Sequence, residues 1–152
     1  MKTWLAGAAS LTRKMPDRHA TRRQRGAVQN FANQLAQMAV GMEAMFLGSV
    51  LQHQPRSGVI EIDAISRSSE VNGEPATLAL ATYLNQWTIA ELVRRNLGAG
   101  WLRAATVTIK YTLTPGNREN TDRADFEAVA VVSTDAGDAS ATFANFQLLV
   151  LG

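Results

Sequence analysis

Hydrophobic and polar positions follow two different periods along this chain. From Val59 to Ile65 apolar side chains recur at every second position, which predicts a half-buried strand. Between residues 27 and 43 they recur every three or four positions, which predicts an amphipathic helix: Val28, Phe31, Leu35, Met38 and Met42. Residues 45–52 fit either the last turns of that helix or a first strand, which would form a hairpin with the strand at 59–65 across Gln54–Gly58.

A second helix is predicted over residues 76–97. Asn72-Gly73-Glu74-Pro75 resembles a helix start, because proline suits the first turn and glutamate favours the positive end of the helix dipole. Apolar residues cover most of the circumference of this helix, and one polar seam runs through Asn85, Thr88, Glu91 and Arg95. A helix that is apolar nearly all round is buried nearly all round, so we expect it in the core.

Three strands are predicted after this helix. Residues 105–113 alternate strictly between apolar and polar, and residues 126–133 and 141–151 continue the β pattern. Short turns join the three strands, so they form an antiparallel meander. The order of elements predicts an α+β domain in which a curved antiparallel sheet wraps the long apolar helix, with an extra N-terminal helix.

With this architecture, residues 45–151 resemble the hotdog-fold thioesterase-like superfamily, whose members hydrolyse acyl thioesters of coenzyme A or acyl-carrier protein. The matching segments are Phe46–Leu51 with Val59–Ile62 (the opening hairpin), Val71–Ala81 (the helix start), Ala105–Pro115 (the central strand) and Asp125–Leu151 (the last two strands). The resemblance implies a homodimer or higher homo-oligomer that binds an acyl thioester or another small hydrophobic ligand.

The resemblance also implies roles for six residues. Asn72 and Gly73 stand where the family places the backbone donors of an oxyanion hole, and Glu74 would act there as general base or nucleophile. Asn85 would hold a water or a carbonyl in the acyl pocket, and Trp87 and Tyr111 would contact the substrate. For each there is a structural alternative: a first-turn acid for Glu74, a satisfied buried amide for Asn85, and core packing for the two aromatic residues.

Glu74 replaces a glycine of the family pattern, and Ala81-Thr82 stands where many relatives carry an acidic residue. A catalytically degenerate member therefore stays open. The alternative function is a non-catalytic small-ligand-binding or structural module, on a hotdog fold or on a cone-shaped sheet of the nuclear-transport-factor type.

Charge is distributed unevenly along the 152 residues. Residues 1–26 carry seven basic side chains and one acid, whereas the remainder carries eight basic and twelve acidic residues. We therefore divide the chain into a basic N-terminal arm, residues 1–26, and a single domain, residues 27–152. The arm fits a solvated lead-in, a targeting segment or a contact with an anionic surface, although the acidic body argues against nucleic acid as a partner.

Composition excludes several chemistries. The chain has no cysteine, so it offers neither thiolate metal sites nor a cysteine nucleophile. His19 and His53 are the two histidines, and neither lies in a metal-binding or triad pattern. We expect no metal, no cofactor and no membrane span, since polar residues interrupt every long apolar run. The expected location is the cytoplasm, with a targeting role for residues 1–26 left open.

Overall fold

The computed structural model describes residues 3–6, 10–14, 22–46, 55–98, 100–114 and 122–151, with side chains for 23–40, 55–98, 100–114 and 123–143. It contains two helices and eight strands. They are β1 (Thr3–Ala6), β2 (Ser10–Lys14), α1 (Arg22–Phe46), β3 (Ser57–Asp63), β4 (Ser68–Val71), β5 (Glu74–Ala76), α2 (Ala79–Arg94), β6 (Leu102–Thr114), β7 (Asp122–Thr134) and β8 (Gly137–Leu151).

All eight strands belong to one antiparallel sheet with the order β1-β8-β7-β6-β3-β4-β5, and β2 also pairs with β8. The predicted meander is confirmed as β6-β7-β8. Register shifts interrupt the β6–β7 and β7–β8 ladders, and irregularities of this kind bend the strands that contain them. The coarse α+β class is therefore confirmed.

The first residues of the chain extend this sheet. Thr3 lies opposite Leu151 and Ser10 lies opposite Ala144. Strands β1 and β2 therefore both pair with β8, and the register of the pairing is the same before and after residues 7–9. Helix α1 begins at Arg22. The domain boundary at residue 26 stays a prediction, but strands and the first turn of a helix occur on its N-terminal side.

Helix α1 confirms the predicted N-terminal helix and lengthens it at both ends. Its buried stripe faces β7 and β8, and much of this contact is made of alanine. The buried alanines are Ala32, Ala36 and Ala39 on the helix, and Ala128, Ala130, Ala139 and Ala141 on the two strands. Residues 47–54, which include the rest of the predicted first hairpin strand, lie outside the described residues; β3 pairs with β4 and β6.

The prediction that residues 76–97 form an enclosed central helix is wrong. Helix α2 packs against α1 and β3, while α1 is the helix that lies on the sheet, chiefly on β7 and β8. Ile89 is 55% exposed and Val93 is 75% exposed, whereas Asn85 and Thr88 of the polar seam are buried. On the inner side, Asn85 bonds to the turn after β3 and Arg95 bonds to α1, whereas the Thr88 hydroxyl is buried with no hydrogen-bond partner among the described residues. Apolar residues of α2 are left facing solvent.

The predicted helix start at Pro75 is also wrong. Asn72 and Gly73 have φ angles of 52° and 83°, and they form the two-residue turn of the β4–β5 hairpin. Two consecutive positive φ values are typical of the type I′ turn, for which Asn-Gly is the preferred sequence. Residues 66–74 accordingly contain β4 and the start of β5, and α2 begins three residues after Ala76.

No helix in the described part of the chain is both long enough and apolar enough to cross a membrane.

Candidate functional site

Two of the predicted site residues, Asn72 and Tyr111, contact each other. The Asn72 side chain accepts a hydrogen bond from the Val59 backbone N–H (2.9 Å) and donates one to the Tyr111 hydroxyl (2.9 Å). The Asn72 backbone N–H also donates to the Val59 carbonyl (2.8 Å). These bonds hold the β4–β5 turn against β3 and β6. The geometry gives Asn72 and Tyr111 a structural task, and Tyr111 is 2% exposed.

Asn85 lies on the buried face of α2 and holds a different turn. Its Nδ2 atom donates to the carbonyls of Ala64 (2.8 Å) and Ile65 (3.0 Å), which belong to the turn between β3 and β4. In that turn the Asp63 carboxylate accepts from the backbone N–H groups of Ile65 and Ser66. Asn85 therefore supplies a donor to two carbonyl groups of the turn, of which that of Ala64 is buried.

Replacement of Asn85 by alanine is expected to lower the free energy of unfolding by about 1–3 kcal/mol, because the Ala64 and Ile65 carbonyls lose their donor. Urea unfolding measures the change. Gln86→Ala is the matched control, since Gln86 is the next residue and is exposed; it should change stability by less than about 0.5 kcal/mol. Equal stability of the two variants would contradict this role of Asn85.

The remaining predicted site residues do not join either group. Glu74 is exposed at the start of β5, opposite Val71, and five residues before the first residue of α2. Gly73 is exposed in the same turn. Trp87 lies on α2, where its ring packs against Phe31 of α1 at 5.3 Å between centroids. The structure thus distributes the six residues over the β4–β5 turn, the inner face of α2 and strand β6.

A cluster around Phe31 joins the two helices and the start of β6. Phe31 is fully buried, and its ring also contacts Trp101 at 6.0 Å between centroids. The Arg95 guanidinium lies 5.6 Å from the Phe31 centroid, within the range of a cation–π contact. Arg95 donates through Nη2 to Asn30 (2.6 Å) and Gln34 (3.1 Å) of α1. The polar end of α2 is therefore bound to α1 through charge and aromatic packing.

Glu91 connects this cluster to Arg94. Its carboxylate accepts from Arg94 at 2.7 Å and from Arg95 at 3.1 Å. The hydrogen bond from Arg94 is the main cause that lowers the pKa of Glu91 from its ordinary value of 4.5, with Arg95 adding to it and burial opposing it. A lowered folded-state pKa means that the ion pair stabilises the protein above about pH 4.5, and that this contribution is lost as the pH falls through the lowered pKa.

Glu91→Gln is expected to lower the free energy of unfolding by about 0.5–1 kcal/mol at pH 7. The difference from the parent protein should shrink as the pH falls below about 4.5, because the unfolded parent then binds a proton at Glu91, and it should vanish once the pH has fallen through the lowered pKa of the folded state. Urea unfolding between pH 3 and pH 7 measures both effects. Glu61→Gln serves as the control, since Glu61 forms no ion pair within the described residues. A constant difference at all pH values would contradict the assignment.

The depressions lined by described residues include a groove and a smaller cavity. The larger, of about 550 Å³, is a groove on β3, β4 and β6, with Glu61, Asp63 and Glu70 among its lining residues. Several of its polar groups already serve the fold: Asp63 closes the β3–β4 turn, and the Ser69 hydroxyl donates to the Ala76 carbonyl (2.6 Å).

Within the part of the chain that the structure describes, no group of three or more His, Asp or Glu side chains is arranged to hold a metal ion.

The smaller depression, which we call the Trp101 cavity, has a volume of about 360 Å³. It lies where the first turns of α1, the segment after α2, the start of β6 and the β7–β8 turn meet. Its apolar lining consists of Ala27, Leu97, Trp101 and Ala136. Three polar side chains complete it: Arg23, Gln24 and Arg95. Volume and lining match the usual small-molecule site, which is mostly apolar with a few placed polar groups.

None of the six site residues predicted from the sequence lines the Trp101 cavity. Arg95 was visible as the last member of the polar seam of residues 76–97, but its partners on α1 depend on how two distant segments pack. Arg23 belongs to the basic N-terminal arm, which has no periodic signal that could place it beside Trp101.

Comparisons with protein-family models, with curated proteins and with solved structures give no match to this chain.

Proposed function

We propose that this protein is a non-catalytic module that binds a small ligand in the Trp101 cavity. The observation that supports this most directly is the lining of the cavity, which combines an indole ring and aliphatic side chains with two guanidinium groups. A concave apolar surface with a few polar groups binds and orients a small molecule by burying its apolar part. Arg95, one of the polar groups, is held in place by its bonds to Glu91, Asn30 and Gln34.

The chemistry of the lining favours binding over hydrolysis. Among the described residues that line the cavity there is no carboxylate, hydroxyl, thiol or imidazole group, so none of them can act as nucleophile or general base. The architecture is consistent with the module hypothesis as well. A long helix packed on β7 and β8 of an antiparallel sheet, with a smaller helix inserted between β5 and β6, is consistent with a cone-shaped α+β fold of the nuclear-transport-factor type.

The proposal is tested by filling the cavity. Ala27→Leu places a larger side chain in the lining while keeping a strong helix former on α1. We expect small apolar molecules detected by ligand-observed NMR to bind the parent protein and to lose binding to this variant. Gln37→Leu is the control, because Gln37 is an exposed residue of the same helix and lies outside the cavity lining. Equal binding by both variants would reject the cavity as the site.

Thioester hydrolysis is the competing function, and the same protein preparation tests it. A panel of acyl-coenzyme A esters with a thiol reagent measures release of coenzyme A. Release that falls in Glu74→Gln would favour the thioesterase hypothesis and contradict a non-catalytic module. We expect no release, because Glu74 is exposed on a short hairpin and no second predicted catalytic group contacts it among the described residues.

A further inference from the structure

The first turn of α1 concentrates positive charge on one side of the Trp101 cavity. Arg23 and Arg25 lie in this turn, which contains no acidic residue. The free N–H groups at a helix N-terminus are themselves electropositive, so cationic side chains are unfavourable there and an anion is favourable. Arg23 lines the cavity, is exposed, and forms no ion pair within the described residues.

A second guanidinium group, that of Arg95, also lines the cavity. Arg95 shares the single carboxylate of Glu91 with Arg94, so one negative charge faces two guanidinium groups. Its Nε and Nη2 atoms are hydrogen-bonded, and its Nη1 atom has no hydrogen-bond partner in the described part of the chain. Asp135, which precedes Ala136 of the lining, is paired with Arg103 at 2.5 Å. No acidic residue is among the described residues of the lining itself.

We propose that the ligand of the Trp101 cavity is a small organic anion, a carboxylate joined to a flat apolar body. This inference rests on the proposed function and adds the chemical class of the ligand. The carboxylate would lie between Arg23 and Arg95, since guanidinium groups bind carboxylates with short, charge-assisted hydrogen bonds. The apolar body would lie on Trp101 and Leu97. A volume of about 360 Å³ is near the lower end of the range for ligand sites, which restricts the ligand to small molecules.

The test compares phenylacetate with phenylacetamide, which has nearly the same shape and no charge. Binding is measured by the shifts of the Trp101 indole N–H in two-dimensional NMR, with that signal assigned through Trp101→Phe. We expect phenylacetate to bind at least about tenfold more tightly than the amide. Arg23→Gln should reduce this preference to less than about threefold. Arg67→Gln, at an exposed arginine of the β3–β4 turn, should leave the preference unchanged.

The possible outcomes separate the ligand class from the function. If both probes bind equally and both lose binding in Ala27→Leu, the cavity is a ligand site and the anion proposal is overturned. If phenylacetate is preferred but Arg23→Gln keeps the full preference, the anion proposal is overturned for this site. If neither probe shifts the Trp101 signal at millimolar concentration, the anion proposal and the proposed function both fail. Loss of the phenylacetate preference at high salt supports the anion proposal, because screening weakens contacts between partly exposed charges.

Discussion

Replacement of Phe31 by alanine is expected to lower the free energy of unfolding by about 3–5 kcal/mol, a large fraction of the stability of a typical domain. The side chain is fully buried, and it contacts Trp87 and Trp101 as well as the Arg95 guanidinium. Its loss therefore leaves a cavity at the point where both helices meet β6. Chemical denaturation followed by tryptophan fluorescence measures the effect, because two of its contact partners are indole rings.

Val93→Ala is the control for this experiment. Val93 belongs to α2 and is 75% exposed, so its truncation should change stability by less than about 0.5 kcal/mol. If α2 were the enclosed central helix that the sequence predicts, the same truncation would remove buried methyl groups and cost more than about 1 kcal/mol. A large effect of Val93→Ala together with a small effect of Phe31→Ala would contradict the packing described here.

Gly58→Ala is expected to destabilise the protein by about 2–3 kcal/mol. A Cβ atom on residue 58 would lie 2.7 Å from the Tyr111 hydroxyl oxygen and would overlap the Asn72 side-chain amide. Asn72 cannot give way freely, because its amide is bonded both to the Val59 N–H and to Tyr111. Glycine is required at this position because the Asn72 and Tyr111 side chains leave no room for a Cβ atom. Thermal unfolding followed by circular dichroism measures the loss.

A second variant shows whether the overlap is the cause. Asn72→Gly removes the amide and keeps a residue that tolerates the positive φ of the turn. In that background Gly58→Ala should cost less than about 1 kcal/mol, so the two substitutions are strongly non-additive. Additive effects would mean that residue 58 is sensitive for a reason other than its contact with Asn72.

The strands and the first helix could be predicted because their signals are local. Strict alternation over residues 105–113 requires one face of a sheet to be buried, and β6 is buried at Ala105, Val107, Ile109 and Tyr111 as this period demands. The spacing of Val28, Phe31 and Leu35 likewise gives the buried stripe of α1. Because short turns join the last three strands, these strands must pair as an antiparallel meander.

The position of α2 could not be predicted, because polarity alone does not say which face of a helix is buried. Asn85 and Arg95 are polar, yet their hydrogen bonds to Ala64, Asn30 and neighbouring groups lie on the inner side. Those partners belong to other segments of the chain, so they cannot be predicted from the sequence of the helix itself. The Asn72-Gly73 hairpin is different, since the dipeptide alone is a strong local signal for a type I′ turn.

The candidate site depends on packing to a greater degree than the fold does. Arg23 belongs to the first turn of α1, whereas Arg95 and Trp101 belong to the segment between α2 and β6, about 70 residues later, and each has an ordinary local pattern. The six residues predicted from the hotdog resemblance follow the family pattern along the chain, which assumes a helix beginning at Pro75. Because α2 begins at Ala79 after a hairpin, the residues of the β4–β5 turn do not lie at the start of the helix that carries Asn85 and Trp87.

The alanine-rich contact between α1 and the sheet has a consequence for how the fold is stabilised. Alanine loses no side-chain rotamer entropy when it is buried, so these contacts form without that cost. Each alanine nevertheless withdraws little more than one methyl group from water. The large side chains of the helix, Phe31 and Leu35 above all, must therefore supply most of the transfer free energy that keeps α1 in place.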